Sequence, residues 1–121
     1  MADRRAAEAS GRRAEALAAF WLRLKLYRVL ARRVRTQAGE IDLVARTLSG
    51  VVCFVEVKAR ARQAAAAEAL GARQRSRIAR AAEAYLAARP SLRHKGVRFD
   101  VILVAPGFRP RHLKDAWRPE W

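Results

Sequence analysis

The stretch "GEIDLVARTLSGVVCFVEVKAR", residues 39–60, carries two apolar runs on either side of a short polar turn. Gly39 opens the first run, in which Ile41, Leu43 and Ala45 alternate with Glu40, Asp42 and Val44, the period of a strand. After Thr47, the "LSG" of residues 48–50 suits a three-residue hairpin loop with Gly50 in the left-handed position. Val51 to Ala59 then reads as the returning strand. Residues i and i+2 of an extended chain share a face, so Glu56 and Lys58 project together and Val55 and Val57 project oppositely.

Register decides what those charges meet. A loop of residues 48–50 pairs Thr47 with Val51, and counting outward sets Asp42 opposite Glu56 and Glu40 opposite Lys58, with all four on one face. A two-residue loop would set Asp42 opposite Val57 and split the carboxylates between faces, because a slip of one residue reverses every side chain. Grouping the acids therefore requires the longer loop or a bulge. Three acids on one hairpin repel one another unless something neutralises them. Mg²⁺ (or Mn²⁺) suits the task, since a hard cation takes oxygen ligands and commonly uses one or two carboxylates. Lys58 offers partial neutralisation without any metal. Asp42 and Glu56 could hold the cation with the Val57 carbonyl as a further ligand, while Lys58, a compact ammonium, orients a water for in-line attack on a phosphodiester.

Upstream, a helix is expected from Arg12 to about Leu26, with Leu17, Trp21 and Leu24 as its packing face and Gly11, Glu15, Ala18 and Leu22 as an adjacent stripe. Glu15, taken alone, reads as a rim carboxylate paired with Arg12 or Arg23. Residues 1–10 read as a loose tail and residues 11–121 as a single domain. Tyr27 to Arg35 suggests another strand. Residues 61–67 read as a loop or the opening of a helix, and Ala69 to Ala88 as a helix with Ile78, Ala82, Tyr85 and Leu86 inward. Arg73, Arg77 and Arg80 line the opposite side, either as a phosphate-binding stripe or as a solvated face. Pro90 ends that helix. Residues 97–105, "VRFDVILVA", read as a strand buried on both sides, followed by an edge strand from His112 to Trp117. The order helix, three strands, helix, strand specifies an α/β sandwich around a mixed sheet.

The chain has 26 Lys and Arg against 11 Asp and Glu, a formal charge of +15. Such a surplus favours polyanions, nucleic acid first, through counterion release. One cysteine, Cys53, excludes an intrachain disulfide and a thiolate metal cluster, and its strand position reads as a small buried hydrophobe. No apolar run approaches a membrane span and the first 15 residues lack a signal-peptide core, so a cytoplasmic location is expected. His94 and His112 lack the spacing of zinc ligands and read as loop or surface residues. Trp21 reads as a core residue, and Trp117 and Trp121 as core or edge packing, with base stacking or closure of a dimer as the alternative.

"GEIDLVA" followed by "FVEVKAR" resembles the paired signature of the bacterial YraN family, within the restriction-endonuclease-like superfamily. The similarity extends to "GRRAE" at residues 11–15, "RFDV" at residues 98–101 and "HLKDAW" at residues 112–117. The resemblance implies an αβββαβ nuclease core with a mixed central sheet flanked by helices, and a metal site of Asp42, Glu56 and Lys58. It also implies that Glu15 is the helix-borne acid of Holliday-junction-resolvase-like relatives, that DNA, possibly branched or structured, is the substrate, and that two copies pair as a homodimer. Departures are Ala59 where the family carries a hydroxyl residue, "RQAAAAEA" in place of a Phe-Gly turn, and Gln74 in place of a helix lysine. The function expected is a metal-dependent nuclease; the alternative is a nucleic-acid-binding protein that keeps the fold without catalysis.

Overall fold

The computed structural model describes residues 2–59, 71–107 and 109–119, with side chains from residue 11 onward. Its elements in chain order are α1 (Ala2–Leu24), β1 (Arg28–Arg35), β2 (Glu40–Arg46), β3 (Val52–Ala59), α2 (Ala72–Ala88), a 3₁₀ helix (Pro90–Lys95), β4 (Val97–Val104) and β5 (Arg111–Trp117). The expectation for residues 61–67 and the role of Trp121 lie outside the described residues. Helix α1 begins at Ala2, ten residues ahead of the expected Arg12, and so takes in residues 2–10.

The five strands form one sheet in the order β1-β2-β3-β4-β5, parallel only between β3 and β4. A parallel pair needs a crossover connection, and α2 lies within it. The architecture is a mixed α/β fold with a five-stranded mixed sheet flanked by helices, as its element order specifies. On the α2 side, Phe54 stacks on Phe99 (centroids 5.6 Å apart) and meets Tyr85 edge-on at 5.9 Å, while Phe99 lies 4.4 Å from Trp117. On the α1 side, Ala18, Ala19 and Leu22 pack against Leu43, Cys53, Val55 and Ile102. Cys53 is buried as expected, and burial lifts its thiol to about pKa 12.

The packing face of α1 differs from the expected one. Leu17 is 41% and Leu24 59% exposed, Trp21 is half-buried, and Ala14, Ala18, Ala19 and Leu22 are buried. Alanines let the helix axis lie close to the sheet, so close packing selects the small-residue stripe and leaves the larger side chains at its margin.

The β2–β3 hairpin has the longer loop. Leu43 pairs with Val55, Val44 with Phe54, Ala45 with Cys53 and Arg46 with Val52. Thr47 N–H donates to the Val51 carbonyl at 2.9 Å, and Gly50 is left-handed at φ 99°. Side-chain alternation in β2 nevertheless reverses once. Leu43 and Ala45 face α1, whereas Ile41 and Val44, three residues apart, both pack on the α2 side. In β1 the same holds for Ala31 and Val34, which both pack against that cluster. The register places Arg33 across from Asp42 at the reversal, and Arg33 has φ 51°, a left-handed value rare for a non-glycine residue.

Both outer strands bulge. In β1 the register shifts between Val29 and Ala31. In β5, Leu113 and Trp117 face Val101 and Phe99, so extra residues loop out around Asp115, whose φ is 52°.

Candidate functional site

Asp42 and Glu56 converge where the β2–β3 ladder stops. Beyond Leu43–Val55 the strands part, and the Asp42 carboxylate takes the place of a ladder carbonyl, its Oδ2 accepting from Val57 N–H at 2.8 Å. A residue's N–H and C=O point to the same side of a strand, which brings the Val57 carbonyl to the same gap. A hydrogen bond between the two carboxyl groups favours the proton on Glu56 over Asp42. Lys58 Nζ stands 3.8 Å from Glu56 Oε1, and Gln74 Nε2 on α2 donates to the same oxygen at 3.2 Å. Both Glu56 and Lys58 are largely enclosed, with side chains 12% and 15% exposed. Glu40 stands apart on the surface, its carboxylate 3.2 Å from Arg35 Nε rather than beside Lys58, since the ladder that would bring it there has already ended.

Glu15 reaches this region from α1, its partner being neither Arg12 nor Arg23. Arg33 Nε donates to Glu15 Oε1 at 2.7 Å. Its negative charge disfavours ionisation of both Asp42 and Glu56. The left-handed turn at Arg33 coincides with the reversal of facing in β1 and carries the guanidinium towards α1.

Burial raises the Asp42 pKa, opposed by the Val57 amide. Burial, and then the Asp42 charge, push Glu56 up to about 8 from an ordinary 4.5. A pKa raised on folding makes the native state bind the proton more tightly, so the associated stability is complete below pH 4.5 and is lost as pH climbs through 8. Glu56→Gln should therefore be more stable than wild type at pH 9 in EDTA, with the gap closing towards pH 4.5. Thermal melts across that range check it, and a gap independent of pH would contradict the assignment.

Among the described residues no group of three or more His, Cys, Asp and Glu side chains closes on one point as metal ligands. The set at the gap is two carboxylates with a backbone carbonyl, the oxygen-only kind that suits Mg²⁺ with retained waters. Two acids forced to share a proton also fit a dication, whose charge would displace that proton.

The arginines of α2 are exposed, and the base of Arg77 lies beside Gly39 in the β1–β2 turn. Sequence reasoning missed a second polar centre. Asp100, fully buried, accepts from Arg98 Nε and Nη2 (both 2.8 Å), His112 Nε2 (2.7 Å) and Asp115 N–H (3.0 Å). His112 is not a surface residue: its side chain is 2% exposed, because β5 turns it inward onto Asp100. Lys25 Nζ lies 2.8 Å from its Nδ1. An ammonium only donates, which leaves the ring proton on Nε2, facing Asp100. The signal in the sequence was a carboxylate inside an apolar strand, which demands partners.

This mixed α/β protein thus holds a largely enclosed acid pair at the parting of two antiparallel strands, beside a lysine and a glutamine of α2. The model of the uncharacterised protein family UPF0102 matches residues 14–104, spanning Glu15, Asp42, Glu56, Lys58 and the α2 arginines but ending before β5. The chain belongs to that family. A UPF0102 protein of Maricaulis maris (strain MCS10) is 55% identical over 116 residues, covering 96% of this chain and 91% of the relative. One from Paramagnetospirillum magneticum is 55% identical over 117 residues, covering 93% and 90%, and one from a Caulobacter species (strain K31) is 54% identical over 112, covering 93% and 80%. Among the described residues no helix is long and apolar enough to cross a membrane.

Proposed function

We propose that this UPF0102 protein is a divalent-metal-dependent phosphodiester hydrolase acting on DNA, with branched or structured DNA as the preferred form. The observation that carries the reading is the enclosed Asp42–Glu56 pair beside Lys58, set in a chain of charge +15. Likeness of the "GEIDLVA" and "FVEVKAR" blocks to the YraN family and the restriction-endonuclease-like superfamily supports it. Asp42, Glu56 and the Val57 carbonyl would hold Mg²⁺ or Mn²⁺, which would supply a water of lowered pKa and offset charge on the phosphate. Lys58, fixed beside Glu56, orients the attacking water. Val57 N–H holds Asp42 in place, and Gln74 does the same for Glu56. A second copy would supply the second cut that a four-way junction requires.

The other reading, a nucleic-acid-binding protein without catalysis, draws on Gln74, which caps the Glu56 oxygen where a lysine would add charge at the reacting phosphate. Incubating purified protein with labelled linear, single-stranded, flapped and four-way DNAs in Mg²⁺ or Mn²⁺ separates the two. Metal-dependent cleavage of any member upholds hydrolysis, and binding without cleavage selects the alternative.

Under both readings Arg73, Arg77 and Arg80 contact phosphates without reading sequence. Replacing all three with Ala should lower the salt slope of DNA affinity by roughly 2–3. A folded triple variant with an unchanged slope would mark these arginines as a solvated face.

A further inference from the structure

Nothing local in the sequence singles out Arg33, yet three observations converge on it. Its backbone is left-handed within a strand, at φ 51°. The β1–β2 register sets it across from Asp42. Its Nε donates to Glu15 Oε1 at 2.7 Å, while its side chain stays 44% exposed. Backbone held in a sparsely populated region must be over-determined by its surroundings, and such positions gather at functional sites. A regular strand would alternate through this position, and the left-handed turn re-aims the side chain towards α1.

We propose that Arg33 is a phosphate-contacting residue of the site, anchored on Glu15 through Nε and presenting its Nη groups to the non-bridging oxygens of the phosphodiester. A guanidinium has five donors in a fixed planar fork. Glu15 engages one edge of that fork and fixes its direction, and the outer donors match two phosphate oxygens. The same contact gives Glu15 a different task from that of Asp42 and Glu56: it orients Arg33 and is not counted among the metal ligands. The assignment rests on the hydrolase reading for its ligand, a phosphodiester beside a metal, although its key measurements use no turnover.

Asparagine tolerates the left-handed region, so Arg33→Asn removes the guanidinium while sparing the strand. Arg32→Asn, one position along the same strand, is the charge-matched comparison. Two readouts apply, Mn²⁺ affinity by titration calorimetry and the ³¹P relaxation of dimethyl phosphate enhanced by protein-bound Mn²⁺. Loss of a neighbouring cation should leave Arg33→Asn binding Mn²⁺ about tenfold more tightly. Loss of a charge-assisted bond should weaken dimethyl phosphate roughly tenfold at the bound metal. Opposite changes in the two affinities are the signature of a phosphate contact, since damage to the site would lower both. A folded Arg33→Asn matching Arg32→Asn in both would overturn the proposal and leave Arg33 as a bend in β1. If wild type binds no Mn²⁺, the hydrolase reading fails by itself. Arg33 is then judged by affinity for a fluorescent DNA duplex in EDTA, where Arg33→Asn weaker than Arg32→Asn upholds the contact and equality overturns it.

Discussion

Glu56→Ala and Lys58→Ala should each lower metal-dependent DNA cleavage by about a thousandfold or more, while DNA affinity falls little. A metal-held water contributes several kcal/mol of transition-state stabilisation, and each 1.4 kcal/mol is a factor of about ten. In the proposed hydrolase Glu56 would supply a metal oxygen and Lys58 the direction of the water, roles that a basic surface attracting the duplex would not replace. The fold should survive both changes. Removing Glu56 relieves the carboxylate crowding that raises its pKa to about 8, so its melting temperature in EDTA at pH 9 should rise rather than fall. Equal trace cleavage by wild type and Glu56→Ala would identify a contaminant and select the binding-only reading.

Asp100→Asn should cost about 3–5 kcal/mol of folding stability, a large share of the 5–15 kcal/mol typical of a domain. The carboxylate has no exposed surface and accepts four hydrogen bonds, two from Arg98 and one each from His112 and the Asp115 amide. An amide has the wrong donors for that setting and leaves the Arg98 charge without its counter-ion. Burial alone would raise the Asp100 pKa, but His112, Arg98 and the Asp115 amide hold it below its ordinary 3.8. A lowered folded pKa contributes stability that is present above 3.8 and lost as pH falls through the folded value. The wild-type advantage over Asp100→Asn should therefore persist at neutral pH and shrink only in strong acid. Urea unfolding at pH 7 and pH 3 measures both, and a difference under 1 kcal/mol at pH 7 would show that the network is dispensable.

The hairpin was legible because loop length fixes register, and register alone brings Asp42 to the level of Glu56. Strand β4 was legible from its unbroken apolar run. What the sequence did not disclose depends on partners distant in the chain. Nothing local in "LARRVR" says that Arg33 turns left-handed or that β1 and β2 reverse their facing there. The face of α1 was misread because apolar weight favoured Leu17 and Leu24, whereas close approach to the sheet favours Ala14 and Ala18. His112 looked like a surface residue because its partners, Lys25 and Asp100, lie 87 and 12 residues away.

The bends in the two outer strands bear on how the molecule behaves in a crowd. A straight, apolar outer strand offers a continuous row of amides and carbonyls on which another chain can template itself. Here β1 shifts register near Leu30 and turns left-handed at Arg33, and β5 loops out at Asp115. Arginines stud β1, and Lys114 stands exposed on β5. Each bend also does local duty, one carrying Arg33 to Glu15 and the other delivering an amide to Asp100. The same two kinks that shape the interior thus discourage growth of the sheet from either side, guarding against aggregation with no residues set aside for that purpose alone.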